Sequence, residues 1–170
     1  MSERRNRKRP QLTAEVVEDS GDWSWVDDIK ALADATAAEV ATEPGLKLQK
    51  SAVSIVLSSD LSVAVLNGRY RQKPKPTNVL SFPPGPGSPG GYIGDIVLAT
   101  ETIVREAEEQ DIPREHHLQH LIVHGLLHLL GHDHETDAEA ERMEALEIKI
   151  LQRLGVANPY TGTLDRDKRQ

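Results

Sequence analysis

Seven histidines, His116, His117, His120, His124, His128, His132 and His134, fall within one 19-residue stretch of a chain that has no cysteine. The densest part reads His124-Gly-Leu-Leu-His128-Leu-Leu-Gly-His132-Asp-His134. His124 and His128 are four residues apart, so on a helix their rings share one face, one turn apart. Two imidazole nitrogens so placed can take adjacent vertices of a tetrahedron around a metal ion. Gly131 can end the helix in a left-handed turn, and His134 then folds back toward the same ion. Three histidines and an open fourth position describe a catalytic zinc site, because structural zinc sites fill all four positions. The spacing also allows His132 in place of His134. His116 and His117 read as surface residues, and His120 continues the stripe toward the cleft or supports it.

The residue after the first ligand is informative. In the His-Glu-x-x-His pattern of metalloproteases a glutamate there is the general base. Here the position is Gly125. The ligands are present without the peptidase base, which weighs against a protease.

The elements that must position these residues are legible as apolar periodicity. Thr13–Val17 reads as a short strand. Ser24–Ala41 has helical spacing, with Asp22 or Ser24 available as cap, and Pro44 and Gly45 end it. Ser51–Leu57, Asn78–Phe82 and Tyr92–Ala99 read as strands, separated by a breaker-rich loop from Pro83 to Gly91. Asp60 can cap a helix running to Arg71, although Val63 and Val65 disfavour it. Thr100 can cap a helix to Gln110, and Asp111 the next one, which has Pro113 in its first turn and runs to Leu130. Thr136 and Glu139 form a capping-box pattern ahead of a last helix that turns Met143, Leu146, Ile150, Leu151 and Leu154 inward and ends at Gly155. Strands and helices mix without regular βαβ alternation. The expected fold is therefore α+β: a single domain with a small mixed β-sheet covered by helices, the histidines on a central helix and the turn after it. The domain is expected at residues 11–157, between a basic tail at 1–10 and a C-terminal tail at 158–170.

The 170 residues carry a formal net charge of −7, which argues against bulk nucleic-acid binding. The distribution qualifies that. From Gly45 to Gly94 the only acid is Asp60, beside Lys47, Lys50, Arg69, Arg71, Lys73 and Lys75. A local basic surface can serve phosphate on an acidic protein. With no cysteine, disulfides and thiolate metal sites are excluded, which suits a reducing cytoplasm. No apolar run reaches the ~20 residues needed to span a bilayer, and the basic N-terminus lacks the apolar stretch of a secretory signal.

The histidine block closely resembles the signature of the YbeY family, bacterial zinc-dependent endoribonucleases of ribosomal RNA maturation. A second block, Leu66-Asn-Gly-Arg-Tyr-Arg71-Gln-Lys-Pro-Lys-Pro76-Thr-Asn-Val-Leu-Ser-Phe-Pro83, agrees, as do Gly94-Asp-Ile-Val97 and, more weakly, Met143 to Gly155. The resemblance spans about Thr13 to Gly155. It implies that the zinc ligands are His124, His128 and His134, with one Zn2+ per chain, and that Arg71 is the functionally important arginine. It also implies that Asp60–Arg71 is largely helical. Two positions depart from the pattern: His132 where tyrosine is common, and Asn78 where aspartate is common. Asn78 cannot act as a carboxylate base.

The implied chemistry is metal-assisted hydrolysis of an RNA phosphodiester in 16S rRNA processing, ribosome maturation and quality control. Arg71 would be the catalytic cation on the attacked phosphate, and Lys73 and Lys75 would bind the neighbouring backbone. Ribosomal RNA and the small ribosomal subunit or its assembly factors would be the partners. Asp133, Glu135 and Asp95 are candidates for a supporting carboxylate. Two rival readings are a zinc-stabilised assembly factor without catalysis and a zinc hydrolase of another substrate.

Overall fold

The computed structural model describes residues 11–46, 48–71 and 77–161. Four strands, β1 (Gln11–Glu18), β2 (Lys50–Ser58), β3 (Val79–Phe82) and β4 (Tyr92–Ala99), form one sheet in the order β1-β2-β4-β3. The first three neighbours in that order run parallel, and β3 closes the other edge antiparallel to β4. The helices are α1 (Ile29–Ala41), α2 (Asp60–Arg71), α3 (Thr100–Gln110), α4 (Arg114–Leu129) and α5 (Asp137–Arg153). This is the α+β domain with a small mixed sheet that the residue pattern predicts.

Strand alternation sends apolar side chains to both faces of the sheet. On one face Val53, Ile55, Leu57, Ile96 and Leu98 meet Leu118, Ile122 and Leu126 of α4, together with Ala33, Ala37 and Val40 of α1 and Met143, Ile150 and Leu151 of α5, in the main core. On the other, Val63 of α2 covers Leu80, Val97 and Ala99 in a smaller cluster. The helix α4 therefore lies across the sheet with one side buried, and its remaining side is free to carry the histidines. α5 is tied to α1 by Arg153, whose guanidinium donates to Glu39 and to the buried Glu43, both at 2.6 Å.

Gly125 sits where α4 crosses β4. A Cβ there would stand 3.1 Å from Ile96 Cδ1 and 3.1 Å from Ser81 Oγ. The glycine is thus a close-approach residue facing the sheet. Gly125→Glu, which would rebuild the peptidase motif, should destabilise the chain by about 3 kcal/mol or more through overpacking and a buried carboxylate. Denaturant titration would measure this, and no peptidase activity should appear.

Several helix boundaries differ from expectation. α1 starts at Ile29, not Ser24, and is capped by Asp28, which accepts from Ala31 N at 3.0 Å. Trp23 and Trp25 stack before it at 5.6 Å. Thr100 is not a cap: its hydroxyl accepts from Trp25 Nε1 and donates to Asp22 O, each at 2.8 Å. α2 is capped by Ser59, whose Oγ accepts from Ser62 N at 3.2 Å. Asp60 instead accepts from Thr102 N (3.0 Å) and its hydroxyl (2.8 Å) at the start of α3. Asp111 does not begin α4 but ends α3 in the left-handed conformation, φ 54°. The α5 cap is as expected, with Thr136 accepting from Glu139 N at 3.1 Å.

Candidate metal centre

α4 ends at Leu129, and Gly131, at φ +99°, turns the chain. His124 and His128 come from the last turns of that helix, and His134 returns from the segment before α5. The ring centroids of His128 and His134 are 4.9 Å apart, those of His124 and His128 5.0 Å, and those of His124 and His134 5.8 Å. One nitrogen from each ring lies within 4.8 Å of the others. His128 Nε2 and His134 Nε2 are 3.2 Å apart. A tetrahedral ion with zinc–imidazole bonds would separate its nitrogens by about 3.3 Å. The donor set and its spacing fit a metal ion. His132 is not in the group; its backbone N–H donates to Leu127 O at 2.9 Å, within the turn.

The trio forms one wall of an open cleft of about 700 Å³, whose other walls include Asn67 of α2, Thr77, Asn78, Leu80 and Ser81 around β3, and Asp133 and Glu135. Arg71 stands one helical turn beyond Asn67, at the end of α2. Its side chain, with Lys73 and Lys75, lies outside the described residues.

The carboxylate behind the site was not among those anticipated. Glu147 of α5 is 1% exposed, and its Oε1 accepts from His124 Nδ1 at 2.5 Å. That bond leaves His124 Nε2 to face the other two rings. His120 Nε2 lies 3.6 Å from Glu147 Oε2, and the Tyr160 hydroxyl donates to the same oxygen. His120 therefore supports the site rather than lining the cleft. Asp133 accepts from the backbone N of His134 at 2.7 Å and so shapes the turn. Asp95 pairs with the Tyr92 hydroxyl. Its neighbours Gly94 and Ile96 face α4, so alternation turns it to the opposite side of the sheet. His117 is not on the surface. It is buried and donates from Nε2 to Glu106 at 2.9 Å, while Asn78 Nδ2 donates to the same oxygen at 2.9 Å. The signal for Glu147 was present but faint: an acid on the stripe that carries Met143, Ile150 and Leu151.

Burial alone would raise the Glu147 carboxyl. The imidazoles of His120 and His124 outweigh it and hold the group at about 2, below the ordinary 4.5. A depressed carboxylate contributes stability that is complete above its unfolded value and is lost as pH falls through the folded one. Metal-free protein should therefore lose melting temperature between pH 4.5 and about 2. The same scan on Glu147→Gln, which cannot titrate, should be flatter across that window.

Fold and site together define a single α+β domain bearing a three-histidine centre able to hold a metal ion. The family model described as Endoribonuclease YbeY matches residues 18–155, and the chain belongs to that family. It is 46% identical over 156 residues to a protein named Endoribonuclease YbeY from Chelativorans sp. (strain BNC1), covering 89% of this chain and 94% of that one. A namesake from Bartonella bacilliformis is 51% identical over 133 residues, 75% of this chain and 84% of its own. One from Dinoroseobacter shibae is 47% identical over 168 residues, 88% and 91% respectively. The solution structure of a Thermotoga maritima protein shares the fold, with a TM-score of 0.53 and 22% identity over 83% of this chain and 91% of that one. No helix among the described residues is long and apolar enough to cross a membrane.

Proposed function

We propose that this chain is a zinc-dependent endoribonuclease of single-stranded RNA that works in the cytoplasm on 16S rRNA during small-subunit maturation and quality control. His124, His128 and His134 hold one zinc ion per chain. The observation that carries the reading is the convergence of three imidazole nitrogens on the wall of an open cleft in a chain of the YbeY family. Relatives bearing that name are called endoribonucleases.

Zinc held there would act as a Lewis acid, acidifying water and polarising a phosphoryl oxygen. The chain's own residues do the rest. Glu147 keeps the His124 proton on Nδ1, so that Nε2 is available as a ligand. Arg71, at the end of α2, supplies a planar cation for the phosphate as its charge grows. Lys73 and Lys75 hold the flanking phosphates. Asn78, with its amide nitrogen tied to Glu106, contributes a neutral wall to the cleft and no carboxylate.

The test is a cleavage assay on structured ribosomal RNA using protein freed of contaminating nucleases, with metal content measured in parallel. Natively purified protein should carry about one zinc per chain. Arg71→Ala should retain that zinc and lose cleavage about a hundredfold, the scale of removing one charge-stabilising donor. A variant that cleaved at the wild-type rate would remove the arginine from the mechanism, and wild type that cut no RNA would leave the assembly-factor reading.

A further inference from the structure

The segment after α5 folds back onto the metal centre. Gly155, at φ +80°, turns the chain, and Val156 is buried in the main core. Asn158 Oδ1 then accepts from Tyr160 N at 2.8 Å, and Asn158 O accepts from the Thr161 hydroxyl at 3.1 Å. This short turn delivers the Tyr160 ring edge-on to His120, with centroids 5.6 Å apart. The tyrosine hydroxyl donates to Glu147 Oε2 and accepts from His120 Nε2 at 3.3 Å. Tyr160, within the expected tail at 158–170, is thus seated behind the histidines.

We propose that Tyr160 is a positioning residue of the metal centre, acting through Glu147 on His124. The reading rests on the three histidines being the metal site. A carboxylate has two oxygens and about four lone-pair directions. Here Oε1 is given to His124 Nδ1, and Oε2 is held by Tyr160 with His120 alongside. A buried, charged acceptor held at both of its oxygens is fixed in orientation. Its grip on His124 then fixes both ring angle and tautomer before any ion arrives. Without the hydroxyl, Oε2 keeps only His120 at 3.6 Å among these contacts, and the carboxylate can rotate away from His124. The metal site then has to be ordered at the time of binding, which weakens the ion's hold.

The experiment compares full-length wild type, Tyr160→Phe and Tyr160→Ala. Zinc affinity is measured against a competing chelator, and melting temperature is measured on the metal-free proteins. Partners behind a metal ligand typically alter affinity by 10–100-fold. Tyr160→Phe, which keeps the ring against His120 and lacks only the hydroxyl, should bind zinc about tenfold more weakly. Its metal-free melting temperature should fall by a few degrees, the cost of one hydrogen bond to a buried carboxylate. Tyr160→Ala should weaken zinc at least as much and melt lower than Tyr160→Phe, because the ring packed on His120 is lost too. Wild-type zinc affinity in Tyr160→Phe overturns the proposal. So does a loss of affinity confined to Tyr160→Ala, since the ring's packing rather than its hydroxyl would then be responsible. Because zinc retention is the readout, a chain that binds zinc but cuts no RNA defeats the proposed function and leaves the tyrosine's role intact.

Discussion

His128→Ala should purify with almost no zinc and lose RNA cleavage by at least a hundredfold, a larger loss than that expected for removing a partner behind a ligand. The geometry explains the size of the effect. His128 is the middle member of the trio, with its ring within 5.0 Å of both others. Removing it leaves His124 and His134, whose rings are 5.8 Å apart and stacked rather than convergent at right angles. Two neutral imidazoles rarely retain zinc against buffer. The fold should survive, because His128 is only half-buried and the α4 core is built from Leu118, Ile122, Leu126 and Leu127 on its other side. Metal-free variant and metal-free wild type should therefore melt within a few degrees of each other. Undiminished cleavage by His128→Ala would sink the zinc-nuclease reading outright.

The second large effect falls on Glu147, which does not line the cleft itself but holds His124 from behind. Glu147→Ala should destabilise the chain by roughly 3–5 kcal/mol, the scale of breaking a buried ionic pair by removing one partner. In a domain of this size that is a fall in melting temperature of about 10 °C. The cause is specific: His124 Nδ1–H and the Tyr160 hydroxyl would both lose their acceptor in a nearly water-free site. Glu147→Gln separates charge from packing. It fills the same volume and can still accept at one atom, so it should lose less stability than the alanine. Its amide cannot hold three donors, and zinc affinity should fall 10–100-fold. Calorimetry of the metal-free proteins and chelator competition would measure the two effects separately. A Glu147→Gln protein with wild-type zinc affinity would mean that His124 needs no carboxylate to set its tautomer.

The histidine trio was legible because its logic is local. A four-residue spacing on a helix puts two rings on one face, and the glycine after it lets a third, His132 or His134, return to them. The strands and the breaker-rich loop from Pro83 to Gly91 were legible for the same reason, since period-two alternation and turn residues act over a few positions. Helix starts were less so. Asp22, Ser24, Asp60, Thr100 and Asp111 all have cap-forming side chains, yet none caps the helix expected of it. Each can satisfy a backbone donor nearby or a partner far along the chain, and the outcome depends on what packs against it. Thr100 goes to Trp25 and Asp22, across 75 and 78 residues.

The support of the centre was beyond sequence reasoning for a related cause. Glu147 meets His124 across 23 residues, and Tyr160 meets His120 across 40. Their pairing depends on Arg153, which clamps α5 to α1, and on the single core that α1, α4 and α5 share. Asp133 and Glu135, adjacent to His134, were the nearer candidates, but adjacency in the chain does not aim a carboxylate at an imidazole. Gly125 shows the same division. Its lack of a carboxylate was evident from the residue type, whereas the reason for glycine, Ile96 and Ser81 standing where a Cβ would come within 3.1 Å of each, arises where helix meets strand. Short-range helix geometry thus pairs His124 with His128 and leaves His132 and His134 both open; the folded turn brings His134, not His132, to that pair. The orientation, charge and order of those ligands came from contacts between distant segments, which burial makes strong and which no local pattern encodes.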